Sequence, residues 1–398
     1  MTETQTTSAQ GVAFVGCGFV ADFYINTLKN HPNLKLVGVM DRNQQRAQAF
    51  GQHYSVPVYP SLAALLADSQ VEIVANLTNP SSHFEVSKAC LEAGKHVYSE
   101  KPFSMVLSEA QILVELAQQK GLSISSAPCG LLGETAQTIW QAVQNKEIGK
   151  ISLVYAEIDD GPIHLEQPHT WVSASGSPWP YQDEFEVGCT LEHAGYYATW
   201  FPAFFGPATT ITAFSSCLIP NKQVKPDEPL VVETPDFSVA CIQFASGVVV
   251  RLTCSIVAPF NHAMQMIGEH GTLSIDECWN YYAPVHIQHY SKMGFRAEKY
   301  PFLRKYAFLK KLLGVRTREY PLVNKPSFKL RNLRHYQDFS RGIAELAYAI
   351  TEQRRSRLPA DYCLHVNEIV LAIQNALETG APYQMTTTFE PLTPQPWR

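Results

Sequence analysis

An α/β fold is predicted: a doubly wound parallel sheet at the N-terminal end, followed by an α+β domain built on an open, mostly antiparallel sheet. Three observations carry this. From Gly11 onward short apolar runs alternate with amphipathic stretches, the pattern of βαβ units; a glycine-rich turn follows the first run; and beyond Gly149 the pattern changes to longer alternating strands. At 398 residues the chain exceeds the roughly 250 to 300 residues at which one core stops growing. A flexible tail over 1–10, a first domain over 11–128 and a second over 129–398 are therefore expected.

In the first domain GVAFVG (11–16), LKLVGVM (34–40), VEIVANL (71–77), KHVYS (95–99) and LSISS (122–126) read as strands. Residues 19–29, 44–53, 61–67, 84–93 and 108–120 read as the helices between them, and right-handed crossovers place all five strands in one sheet. After a helix at about 134–146, ISLVYAEID (151–159), ITAFSSCLI (211–219), FSVACIQFA (237–245) and GVVVRLTCSI (247–256) alternate as antiparallel strands do. Residues 335–353 and 364–378 carry Ala, Leu and Ile at three- and four-residue spacing and read as helices.

With 45% hydrophobic and 17% charged residues the composition is that of a soluble globular protein, and no apolar run approaches the ~20 residues of a membrane span. The polar opening decapeptide lacks a signal-peptide core, which points to the cytoplasm. Nine scattered cysteines without a C-x-x-C pair read as reduced thiols, and no metal site is expected. A net charge of −5 argues against a nucleic-acid binder. That sum conceals thirteen Lys or Arg between Lys292 and Arg334, opposed only by Glu298 and Glu319. Within this basic insertion 301–314 reads as a helix with one apolar and one cationic face: a surface helix, with an anionic substrate or an anionic membrane surface as its alternative contacts.

The turn Gly16-Cys17-Gly18-Phe19-Val20-Ala21 is a G-x-G-x-x-A sequence leading from strand to helix. Its first two glycines let backbone approach a pyrophosphate, and the helix N-terminus offers N–H groups to the negative charge. Asp41 ends the second strand, where a carboxylate hydrogen-bonds ribose hydroxyls and repels a 2′-phosphate. NAD is the expected cofactor. Arg42 could cover a 2′-phosphate, so NADP stays open.

Four segments together resemble one family: the nucleotide turn, Thr78-Asn79-Pro80-Ser81-Ser82-His83, Glu100-Lys101-Pro102, and Gly188-Cys189-Thr190-Leu191-Glu192-His193-Ala194-Gly195-Tyr196. The chain is similar over nearly its whole length to the glucose-fructose oxidoreductase / inositol dehydrogenase / rhizopine catabolism (Gfo/Idh/MocA) family. The resemblance implies a Rossmann domain, a substrate-binding α+β domain and a nicotinamide held between them. Thr78, Asn79, Pro80, His83, Glu100 and Lys101 then fall beside the cofactor. Lys101 would polarise a substrate hydroxyl, because an ammonium near a forming alkoxide lowers its pKa.

The second motif departs from the family's usual Asp-x-Gly-x-His: Glu192 stands for the aspartate, Ala194 for the glycine and Tyr196 for the histidine. Tyr196 is a candidate acid/base partner of Lys101. His193 is another, since relatives resembling NAD-dependent glycosidases carry histidine just after the aspartate position. Asp159 and His164 lie in or beside a polar loop, and Trp171 and Trp179 could stack on a sugar; with Lys101, Glu192, His193 and Tyr196 they form the expected substrate site. Residues 125–131 lack the family's Asn-x-Arg segment. The implied activity is an NAD(P)-dependent oxidoreductase acting on a sugar, sugar derivative or cyclitol, in a homodimer or homotetramer. A redox-neutral glycosidase and a nucleotide-sensing regulator are the alternatives.

Overall fold

The computed structural model describes residues 9–225, 228–291, 300, 308, 317–331, 333, 335–379 and 382–394. The first sheet is formed by β1 (Gln10–Val15), β2 (Leu34–Met40), β3 (Ile73–Asn76), β4 (His96–Ser99) and β5 (Ile124–Ser126). All pairings are parallel and the order is β2-β1-β3-β4-β5. Five helices connect the strands: α1 (Phe19–Leu28), α2 (Gln44–Tyr54), α3 (Leu62–Ala67), α4 (His83–Glu92) and α5 (Leu107–Lys120). The order reverses between β1 and β3, so a crevice opens at their C-terminal ends, where such sheets bind ligands.

Local chemistry sets the boundaries. Asn43 and Ser61 cap α2 and α3 by accepting from the N–H of Arg46 and Ala64. Gly121 ends α5 in the left-handed conformation. At the end of β1, Gly16 has φ +98°, and a Cβ there would lie 2.5 Å from the Leu77 carbonyl oxygen. Only glycine lets the β1 and β3 ends approach this closely.

After α6 (Glu134–Gln144) comes β6 (Ile151–Asp159); α7 (Tyr181–Val187), a π-helical turn (Thr190–Ala194), α8 (Gly195–Ala198) and α9 (Phe201–Phe205) precede β7 (Ala208–Ser216). A two-stranded ribbon pairs β8 (Asn221–Lys222) with β9 (Leu230–Val231). The second sheet adds β10 (Phe237–Phe244), β11 (Val249–Ser255), β12 (Met264–Gly268), β13 (Gly271–Ile275), β14 (Val285–His289), β15 (Thr317–Tyr320) and β16 (Tyr383–Gln384). Its order is β15-β14-β13-β12-β6-β11-β10-β7-β16. Every neighbouring pair is antiparallel except β6 with β11. The fold class read from the sequence is thus the one observed.

Strands β12 to β15 escaped the sequence reading because each is only four or five residues long, although β12 to β14 alternate polar residues with the buried Met264, Met266, Leu273, Ile275, Val285 and Ile287. The C-terminal helices begin elsewhere than expected, at Arg341–Thr351 and Ala360–Gln374. Before the first of them Asp338 instead contacts His31 and Asn30, and Ser340 donates to the Tyr24 carbonyl. That helix buries Ile343, Ala344, Leu346 and Ala347 in one cluster with Val12, Phe14, Val39, Ile73 and Tyr98, so the chain returns to the first sheet after building the second. Gly342 is required there, since a Cβ would meet the Tyr98 hydroxyl at 2.3 Å. The expected helix over 301–314 lies, but for Phe308, outside the described residues.

Candidate active site

A cleft of about 800 Å³ runs from the glycine turn to the motif around Tyr196. Gly18, Phe19, Val20, Leu77, Thr78, Asn79 and Pro80 line its first half. No side chain caps α1 at Gly18, and a Cβ added to Gly18 would meet no heavy atom within 4 Å. The helix N–H groups therefore face open space, where an anion is favoured. These residues fit a dinucleotide.

Several expected cofactor residues act from beneath. The Asp41 carboxylate, 4% exposed, accepts from the N–H of Cys17 at 2.9 Å and of Asn43 at 2.7 Å, so it shapes the turn. Arg46, 3.6 Å from Asp41, lines the cleft, whereas Arg42 is exposed and does not. His83 is fully buried, its ring nitrogens 2.7 Å from the Pro102 carbonyl and 2.9 Å from the Thr78 carbonyl. Burial pushes its pKa down, and it ties the Thr78 and Lys101-Pro102 turns together from behind.

The second half comes from the other sheet. A loop over 171–180 crosses to the nucleotide turn: Ser175 donates from N–H and Oγ to Asp22 at 2.8 and 2.7 Å, and Ser177 Oγ donates to the Cys17 carbonyl at 2.9 Å. Asn79 donates to Asp183 across the cleft. Trp171 and Trp179, with ring centroids 4.9 Å apart, form an aromatic wall.

Lys101 leaves the end of β4 and pairs with Glu192 of the π-helical turn. The Glu192 side chain is 3% exposed. Burial alone would drive the Lys101 ammonium toward neutrality; Glu192 and Glu184 outweigh it and hold it charged. Burial and the nearby Glu192 in turn push the Glu184 carboxyl far above the usual range, so one proton sits beside the Lys101–Glu192 pair near neutral pH. Burial opposes charge on His193, yet Asp160, with an oxygen 3.5 Å from Nε2, and Glu184 raise its pKa above the ordinary value. Burial raises the Tyr196 phenol strongly and Lys101 offsets little of it. Tyr196 is therefore a proton donor at neutral pH and a poor base. Glu100 is held by the Tyr24 hydroxyl at 2.5 Å and by the Lys101 N–H at 3.1 Å, which fixes the turn that aims Lys101.

Lys101, Glu192, His193, Tyr196, Trp171 and Trp179 thus share one cavity. Asp159 and His164 do not line it. Asp159 is buried against Ser255 Oγ at 2.7 Å, and His164 sits behind Ile163, buried, with its pKa pushed down by burial and by Lys222. The residue that does face the cleft is Asp160. Sequence reasoning also missed Arg46, Asp183, Glu184, Trp279 and His335. The polar loop contained Asp160, and opposite orientation of successive residues would have separated it from Asp159. Nothing local marks Trp279 or His335, which long-range folding brings in.

Residues 10–127 match the family model for the oxidoreductase family with an NAD-binding Rossmann fold, and residues 136–274 match the Gfo/Idh/MocA C-terminal domain. An uncharacterized oxidoreductase of Schizosaccharomyces pombe is 30% identical over 136 residues, 34% of this chain but only 37% of that protein. Trans-1,2-dihydrobenzene-1,2-diol dehydrogenase of Bos taurus is 24% identical over 271 residues, 67% of this chain and 74% of that enzyme. Among solved structures, the WlbA dehydrogenase of Bordetella pertussis, in complex with NADH and UDP-GlcNAcA, superposes with a TM-score of 0.69 at 15% identity, over 96% of this chain and 99% of the other. Among the described residues no helix is long and apolar enough to cross a membrane.

Proposed function

We propose, for a chain that belongs to the Gfo/Idh/MocA family of NAD(P)-dependent oxidoreductases, that it oxidises a ring hydroxyl of a sugar or sugar derivative, or reduces the matching ketone. The observation that carries this is the common cavity: the open face of Gly18 and the Lys101 ammonium border the same cleft. Its volume of about 800 Å³ is at the upper part of the range for small-molecule sites, roughly 300 to 1,000 Å³. A bound nicotinamide supplies hydride exchange; Gly18, Phe19, Val20 and the 77–80 turn would hold the dinucleotide. NAD is preferred, because the buried Asp41 carboxylate engages Arg46, the cleft cation that would otherwise meet a 2′-phosphate.

Lys101 stabilises the developing alkoxide, His193 accepts its proton, and Tyr196 donates a hydrogen bond. Asp160, Asp183 and Glu192 crowd the substrate half, so a polyol whose hydroxyls donate to carboxylates is favoured over an anionic ring. Trp171 and Trp179 would cover apolar C–H faces of the sugar. The sugar-nucleotide complex of the WlbA dehydrogenase and the diol named for the bovine relative support a vicinal hydroxyl as substrate. All nine cysteines are free, in keeping with a reducing cytoplasm. Tyr155 and Phe214, exposed on the second sheet, support association through that face.

The protonated Glu184 beside Glu192 favours a second reading, a redox-neutral glycosidase, since a leaving group needs an acid. Incubation with NAD and a panel of sugars, glycosides and sugar nucleotides tests both. Accumulating NADH is the expected result; sugar release without NADH supports the glycosidase, and dinucleotide binding with neither activity would overturn the enzyme reading.

A further inference from the structure

Five side chains alternate imidazole and carboxylate along one side of the cleft: His193, Asp160 and the half-exposed His335 line it, and His262 and Glu277 lie behind it. His193 Nε2 lies 3.5 Å from Asp160 Oδ2, and Asp160 Oδ1 lies 3.9 Å from His262 Nε2. His262 Nδ1 lies 3.0 Å from Glu277 Oε1, and Glu277 Oε2 lies 3.6 Å from His335 Nδ1. The His262 side chain is wholly buried, whereas that of His335 is 43% exposed. We propose that this chain is a proton relay, conducting the substrate hydroxyl proton from His193 through Asp160, His262 and Glu277 to His335 and solvent. It rests on the dehydrogenase reading of the cleft.

A second observation is independent of the spacing. Buried polar atoms nearly always find a partner, yet among the described residues His193 Nδ1, His262 Nε2 and Glu277 Oε2 have no hydrogen-bond partner. Two of these orphans, His262 Nε2 and Glu277 Oε2, are the atoms that face the next group of the chain. The 3.5 to 3.9 Å links exceed a hydrogen bond, so transfer needs an approach of under an ångström or a bridging water. Trp279 supplies the insulation: its ring packs against His193, His262, His335 and Tyr196 at centroid distances of 6.2, 4.4, 5.4 and 5.3 Å. It also lines the cleft, so it stands between the substrate space and the His262–Glu277 segment of the relay. When substrate and dinucleotide exclude water, the chain remains as the exit.

The balance is simple. In oxidation the substrate C–H bond yields a hydride to the oxidised nicotinamide, the O–H bond yields a proton to His193, and one proton leaves at His335. The same groups run inward for reduction. His193 also faces Lys101 and Glu184, while His262 faces Asp160, Glu277 and the rings of Phe260 and Trp279. Imidazoles flanked by carboxylates suit such hopping.

Glu277→Gln interrupts the relay outside the cleft, and His335→Ala removes its outlet. Both variants are expected to lower turnover by up to roughly 10²-fold in dilute buffer while KM stays within about twofold. Imidazole added to His335→Ala should restore it; Glu277→Gln, cut further in, should not respond. A solvent deuterium isotope effect on turnover gives a second readout: it should grow in both variants, where proton exit becomes limiting, and fall back when imidazole rescues His335→Ala. Unchanged turnover, equal losses with no imidazole response, or an isotope effect that stays at the parent value overturns the relay. Dinucleotide binding with no hydride transfer in the parent protein would instead count against the dehydrogenase reading.

Discussion

Replacing Lys101 with methionine should cost stability as well as activity, in an amount that pH controls. Methionine keeps most of the side chain's volume, so the main change is electrostatic: Glu192, 3% exposed, loses its cation. An unpaired buried carboxylate relieves itself by taking up a proton, which against an unfolded-state value of about 4.3 costs about 3.7 kcal/mol at pH 7 and about 1.6 kcal/mol at pH 5.5, at 1.36 kcal/mol per pH unit. That is the ceiling on the penalty, and it lies within the roughly 3 to 5 kcal/mol typical of broken buried pairs. Glu192→Gln added to Lys101→Met should recover most of it, because the double variant leaves no orphaned charge. Urea unfolding of parent, both single variants and the double at pH 7 and 5.5 measures this. Additive losses, or a Lys101→Met penalty below about 0.5 kcal/mol at both pH values, would refute a desolvated pair across the cleft.

Oxidation requires neutral His193, whose pKa is raised by Asp160 and Glu184 over the opposing effect of burial. Oxidative kcat/KM should therefore climb with pH through a midpoint above the ordinary value of about 6.5, reduction should fall over the same range, and His193→Gln should abolish both limbs with a loss of roughly 10² to 10⁴. Asp41→Ser frees Arg46 and removes a charge that repels a 2′-phosphate; fluorescence titration should show the NADP to NAD affinity ratio rising at least about tenfold. His365 is fully buried, with Nε2 accepting from the Ala208 N–H at 2.9 Å, and burial lowers its pKa to about 4. Because its folded value lies below the unfolded one of about 6.5, its contribution is intact above that pH and is lost as pH falls toward 4. The loss is on the order of 3 kcal/mol, and His365→Gln should flatten it in acid unfolding curves.

The first sheet was legible because its strands are short apolar runs between amphipathic helices, a signal carried within each segment. The Lys101 and Glu192 to Tyr196 segments were legible only through the family resemblance, because a catalytic side chain leaves no periodicity of its own. What remained hidden depends on three-dimensional return. Helix Arg341–Thr351 lies on the first sheet because of the complementarity of Ile343 and Leu346 to β1 and β3, which no local pattern records. Asp41, Asp159 and His83 are chemically suited to ligands, yet each is satisfied by protein groups at 2.7 to 2.9 Å. Their neighbours Arg46, Asp160 and Thr78 face the cleft instead. Residue type alone does not say which partner a polar side chain finds first.

A crystal structure of the protein with bound dinucleotide tests the central claim most directly. The pyrophosphate is expected over Gly18 at the start of α1, and nicotinamide C4 facing a space bordered by Lys101, Glu192, His193 and Tyr196. A nicotinamide ring directed away from Lys101, or a 171–180 loop that keeps the pyrophosphate from the glycine turn, would contradict it.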